Sequence, residues 1–116
     1  MSGVVLEIPM LPPSVNHYKG RNGKREYLTA EANRFNDTVW AIANGRRCEG
    51  QRYEIGIVLY FKNRRRCDID NRVKPLLDAL VKAMVIPDDS QIDSIIVTRE
   101  HDVTERTTAY VRPVQK

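Results

Sequence analysis

The stretch Tyr53–Met84, "YEIGIVLYFKNRRRCDIDNRVKPLLDALVKAM", changes its period halfway along. From Tyr53 to Phe61 the pattern has a period of two. Ile55, Ile57 and Leu59 share one face, as in a half-buried strand. From Val73 onward Leu76, Leu77, Leu80, Val81 and Met84 recur at helical spacing. A strand therefore leads through a charged link into a helix. Pro75 constrains where that helix begins, because it lacks an amide proton. Were Asp70 the N-cap, Pro75 would fall beyond the first turn. Either the regular helix starts nearer Lys74 or it is kinked there.

Working outward, Val4 to Ile8 is apolar and β-branched and reads as a first strand. "LPPSVN" breaks it, and the glycine-bearing, basic "HYKGRNGKREY" reads as a mobile loop. Thr29 suits a helix N-cap. The helix it opens runs to about Asn44, with Ala32, Phe35, Val39, Ile42 and Ala43 on one face and Gly45 ending it. "IPDDSQ" is a turn signal. Ile92 to Glu100 and Thr107 to Arg112 read as two strands joined by a polar turn, hence as an antiparallel hairpin. The order β-α-β-α-β-β predicts an α+β fold, a mixed four-stranded sheet flanked by two helices.

The 116 residues fit one domain spanning 1–116. Apolar residues make up 41% of the chain, enough for a core and outside the disordered class. No apolar run approaches the ~20 residues of a membrane helix. The segment "MSGVVLEIPMLPPS" has no basic start and carries Glu7, so a secretory signal is not expected and the cytosol is. Cys48 and Cys67 lack metal-ligand spacing and are expected to be reduced. His17 and His101 show no HExxH or comparable spacing and read as surface residues. Neither a phosphate-loop pattern nor a GxSxG elbow is present.

Net charge is +4, which favours a polyanionic partner. Basic residues crowd from Lys19 to Arg25 and from Lys62 to Lys74. Within the second cluster, Asp68 and Asp70 flank Ile69. In an extended segment the two carboxylates would point the same way and Ile69 would face the core. Close carboxylates repel unless a cation neutralises them, and a divalent ion does so well. Mg²⁺ takes oxygen ligands, usually one or two carboxylates with waters and phosphates. Asp-x-Asp equally suits a turn or cap. Lys74 follows Asp70 by four residues and could hold a phosphate, but Lys74 with Asp78 could also be a plain helix-surface pair. Asp88 and Asp89 lie some four turns on, and a straight helix would carry them roughly 20 Å from Asp70. They would join the site only through a second protomer or a chain reversal at the kink. Taken together, arginines for a nucleic-acid backbone and carboxylates for a metal suggest a nuclease.

The segment "RRRCDIDNRVKPLLDALVKAMVIPDDSQI", residues 64–92, resembles the signature of the RusA-type Holliday junction resolvases. The matching pattern is Asp68, Asp70, Asn71, Lys74, then Asp78-Ala79-Leu80, then Asp88-Asp89 and Gln91. "PPSVNHYKGRNGKREYLTAEA", from Pro12, is similar to the family's entry segment and basic loop. The likeness covers most of the chain and is least distinctive beyond His101. It implies a Mg²⁺-dependent homodimer, found in phages, prophages and the bacterial cytosol, that nicks four-way DNA junctions symmetrically in recombination and repair. The implied catalytic and metal-binding carboxylates are Asp68, Asp70 and Asp89, and the implied catalytic lysine is Lys74. Lys19, Arg21, Lys24, Arg25, Arg64, Arg65 and Arg66 are the expected DNA-binding residues. Pro87, and the lack of aromatic residues from Met84 to Pro87, depart from some relatives and bear on cleavage-site preference. Two other readings remain: a nuclease for forks or flaps, and a non-catalytic DNA-binding protein in which the aspartates merely cap.

Overall fold

The computed structural model describes residues 3–63 and 68–114. Along the chain the elements are β1 (Val4–Ile8), β2 (Lys19–Asn22), β3 (Arg25–Leu28), α1 (Ala30–Ala43), β4 (Tyr53–Phe61), α2 (Val73–Lys82), β5 (Ile92–His101) and β6 (Arg106–Pro113). Short 3-10 turns at Val15–His17, Ile69–Arg72 and Asp89–Gln91 join them.

The period-two pattern of β4 is real. Tyr53, Ile55, Ile57, Leu59 and Phe61 are buried, and the residues between them are half-buried on the other face. β4 is the hub of a mixed sheet in the order β1-β6-β4-β5. It runs antiparallel to β6, with Ile55 opposite Val111, and parallel to β5, with Ile55 opposite Ile95. β1 closes the far side, with Val4 opposite Val111 and Ile8 opposite Thr107. The predicted α+β class, four-stranded mixed sheet and two helices are all present.

One expected pairing is absent. β5 and β6 are not a hairpin; they lie on opposite sides of β4. The reason is the helix that precedes β5. A crossover through α2 returns the chain parallel to β4, so β5 takes one edge of that strand. The turn after β5 then crosses the end of β4, where the Asp102 amide donates to the Phe61 carbonyl oxygen at 3.1 Å. Asp102 also pairs with Arg106 at 2.9 Å, so β6 enters on the other edge already tethered.

α1 starts where predicted. The Thr29 hydroxyl accepts the Ala32 amide at 3.2 Å, satisfying one of the helix's unpaired donors. Ala32, Phe35, Val39 and Ala43 face the core and Ile42 lies at its margin. The helix ends at Asn44, whose φ of 49° is left-handed, one residue before Gly45. α2 buries Pro75, Leu76, Leu77, Ala79 and Leu80. Pro75 is the third residue of this helix, inside the first turn, where its missing amide costs nothing. The later helix start is therefore the correct alternative.

Met84 does not continue the helical face. Its φ is 62°, it is exposed, and it sits just past the end of α2. The Met84 amide donates to Val81 and the Val85 amide to Leu80, a Schellman closure in the position usually given to glycine. The chain then reverses: Val85 and Ile86 are buried, and the Val85 carbonyl oxygen accepts the Cys48 amide. Cys48 is itself buried, which pushes its thiol up; Cys67 lies outside the described residues. Among the described residues no helix is long and apolar enough to cross a membrane.

Candidate active site

The chain reversal after α2 brings a distant acid to Lys74. It carries Asp89 back along the helix to its N-terminal end, where the Lys74 ammonium meets Asp89 Oδ2 at 3.0 Å. The 20 Å separation expected from a straight helix therefore does not apply. The return comes after the Schellman closure, within one protomer, and not at Pro75. Lys74 also pairs with Asp78 Oδ1 at 3.0 Å. The helix-surface pair is present, and Lys74 is shared between two acids. Asp78 and then Asp89 push the Lys74 ammonium above its usual range.

The two adjacent acids of the turn divide their work. Asp88 caps the Asp89–Gln91 turn: its Oδ2 accepts both the Ser90 amide and the Ser90 hydroxyl. Those bonds, more than distant Lys74, hold its carboxyl below the usual range. Asp89 points instead to Lys74. Gln91 fixes the turn from the other side, donating to the Gln51 carbonyl oxygen at 2.9 Å.

Asp68 and Asp70 do not form the extended pair expected. Asp68 is extended and precedes the 3-10 turn, whereas Asp70 lies inside it. With three residues per turn, positions two apart no longer share a face. Asp68 makes no side-chain capping bond, so the cap reading fails for it; only its carbonyl oxygen is used, by the Asn71 amide. Both acids are exposed, and Ile69 between them packs against the core as predicted. Among the described residues no three acids, histidines or cysteines are gathered closely enough to cage a metal. The structure thus brings Lys74, Asp78 and Asp89 together, and leaves Asp68 and Asp70 on the neighbouring turn.

That turn is anchored by Arg72, which the sequence reading passed over. It donates to the Pro12 carbonyl oxygen at 2.6 Å and lies over the Phe61 ring. The link ties the proline-rich entry segment to the turn that bears the aspartates.

The basic segment from Lys19 to Arg25 is not a loop. It forms the β2–β3 hairpin, with Asn22 opposite Arg25 and a two-residue turn at Gly23 and Lys24. Gly23 has φ of 66°, which a first central turn residue of this class needs and glycine supplies. Lys19, Arg21, Lys24 and Arg25 are all exposed on it. Arg21 pairs with Glu26 at 3.1 Å across the hairpin. Tyr27 stands exposed beside them, its ring over Gly20 on the opposite strand. "RNGK" was the signal for the turn, read as a loop because its flanks show no apolar alternation. Arg64, Arg65 and Arg66 lie outside the described residues. His17 and His101 are exposed, and each is occupied locally, with Ser14 and with the Lys62 carbonyl oxygen.

Residue Tyr18, at the foot of the hairpin, was also missed. It is buried, and its hydroxyl donates to Asp78 Oδ2 at 2.8 Å. Burial, then Asp78, pushes its phenol well above the ordinary range, so it remains a neutral donor.

The family model described as endodeoxyribonuclease RusA matches residues 9–112. A crossover junction endodeoxyribonuclease of Enterobacteria phage HK97 is 33% identical over 91 residues, 76% of each chain. That of Enterobacteria phage 82 is 36% identical over 84 residues, and that of Escherichia coli K12 is 34% identical over 84, each covering 70% of both chains.

Proposed function

The chain belongs to the RusA family of crossover junction endodeoxyribonucleases, and from that membership we propose that it resolves four-way DNA junctions by symmetric paired nicks. It would act as one domain over residues 1–116, as a homodimer in the bacterial cytosol, in recombination and repair. A two-fold junction needs two active sites, and two-fold pairing supplies them. The observation that supports the site reading is the 3.0 Å contact of Lys74 with Asp89, which brings an acid fifteen residues further along the chain to the N-terminal end of α2, the helix that follows the Asp70 turn.

The donor set fits a hard divalent cation in kind. Asp68, Asp70 and Asp89 offer only carboxylate oxygens, without thiolate or imidazole, as Mg²⁺ prefers. Among the described residues these acids do not gather into a three-residue cluster, so a bound ion would need water and phosphate to complete its shell. Bound by these aspartates, Mg²⁺ would supply an activated water and offset charge on the leaving oxygen.

The chain's own groups supply the rest. Lys74, held protonated, would contact the scissile phosphate and stabilise the negative charge that develops there. The hairpin residues Lys19, Arg21, Lys24 and Arg25, with Arg64, Arg65 and Arg66, would bind backbone phosphates and orient the junction. Asp88 and Ser90 keep the turn in shape so that Asp89 faces inward.

The test is incubation of the protein with a synthetic four-way junction, a flap, a fork and linear duplex, with and without Mg²⁺. Paired symmetric nicks in the junction are expected. Preferential cutting of flaps or forks would replace the substrate, and binding without Mg²⁺-dependent product would leave a non-catalytic protein. Asp70→Asn is expected to abolish cleavage while junction binding stays intact or tightens; unchanged nicking would remove Asp70 from the chemistry.

A further inference from the structure

Lys74 is the second residue of α2, where an ammonium meets the positive end of the helix dipole. Lysine placed four residues before an acid is also the less favourable order for a helical pair. Local helix energetics therefore does not account for the lysine. It is held by Asp78 Oδ1 and Asp89 Oδ2, each at 3.0 Å.

Asp78 is held in its turn. Its second oxygen accepts the Tyr18 hydroxyl at 2.8 Å, a partner 60 residues away in sequence. Tyr18 is only 6% exposed, so its ring cannot swing freely. Its backbone is fixed as well: its carbonyl oxygen accepts the Thr29 amide at 3.1 Å and the Thr29 hydroxyl at 3.3 Å. Thr29 follows the last residue of the hairpin and caps α1. A chain of bonds thus runs from the root of the basic hairpin, through Tyr18 and Asp78, to the ammonium.

We propose that Tyr18 and Asp78 are positioning residues, which set the Lys74 ammonium toward the scissile phosphate and couple it to the foot of the DNA-binding hairpin. The role given to Lys74 rests on the junction-cleavage reading above. A lysine has a long flexible stem and three rotatable donors, and one carboxylate alone leaves it free to pivot. Two carboxylates, one of them immobilised by a buried phenol, define a single direction. Load on the hairpin strands would be transmitted to Asp78 through the Tyr18 backbone.

Tyr18→Phe removes the hydroxyl and keeps the buried ring. Two measurements are made on it: the side-chain NMR order parameter of Lys74, assigned by the signal lost in Lys74→Arg, and single-turnover cleavage of a four-way junction with Mg²⁺. Junction Kd and melting temperature serve as controls. The Lys74 order parameter should fall, and the cleavage constant should drop about ten- to a hundredfold, as displacement of a reacting group does, with Kd unchanged. Asp78→Asn should cost at least as much, and adding Tyr18→Phe to it should cost nothing further, because Tyr18 acts only through Asp78. An unchanged order parameter in Tyr18→Phe, an unchanged cleavage constant, or losses that multiply in the double variant would overturn the proposal. If Tyr18→Phe fails to fold, the order parameter and cleavage constant of Asp78→Asn decide alone. If the wild-type protein cuts no junction, the junction reading fails, and the Lys74 order parameter still decides whether Tyr18 and Asp78 position that side chain.

Discussion

At the scale of single residues, the neighbours of Lys74 matter more than its own position in the sequence. Lys74→Ala is expected to lower the junction cleavage rate by about 10²- to 10³-fold, the usual loss when a charge-stabilising donor is removed. Junction affinity should hardly change, and paired rate and Kd measurements check both. The sequence offered two explanations for Lys74, a surface pair with Asp78 and a role beside catalytic acids; the side chain makes that pair and also meets Asp89. Spacing within a helix revealed the first. The second depended on a chain reversal that the helical pattern concealed. Only the family resemblance told Asp88 from Asp89 in the sequence; in the structure Ser90 separates them by drawing the first into a cap. Tyr18 was invisible in the sequence because one tyrosine in a basic segment carries no period and no motif.

At the scale of elements, strong periodicity was reliable and turns were not. The buried faces of β4 and α1 follow their sequence patterns almost residue for residue. The end of α2 does not, because Met84 has the apolar character of the helix face but the backbone of a C-terminal closure. A residue with a Cβ is strained in that left-handed conformation. Met84→Gly should therefore raise stability by about 0.5–1 kcal/mol, offset in part by greater freedom of the unfolded chain. Urea denaturation of the two proteins measures the difference, and a loss of stability would mean that the methionine side chain contributes packing that its exposure does not suggest. The β2–β3 hairpin went unrecognised for the opposite reason. Its strands face solvent on both sides, so they lack the alternation by which strands are found.

At the scale of the whole molecule, the class of fold was legible and the strand order was not. Which edge of β4 each later strand takes is settled by the crossover through α2, a long-range matter that no local pattern records. Charge placement was legible, and the hairpin now gives it a shape. Replacing Lys24 and Arg25 together by Ala should reduce the salt dependence of junction binding by about two units of slope, if each neutralises one phosphate. Arg21→Ala should reduce it less, since Glu26 already opposes that charge. Titrations from low to moderate salt separate the two cases. The strand order also governs how the protein can be made. β6, the last strand described, fills the gap between β1 and β4 and pairs with both along its length. While a ribosome is still adding Arg106 to Pro113, β1 has no partner in the sheet and one edge of β4 stands bare. Folding of the sheet must therefore await emergence of Arg106 to Pro113, and a nascent chain stalled short of that strand would be the species most in need of a chaperone.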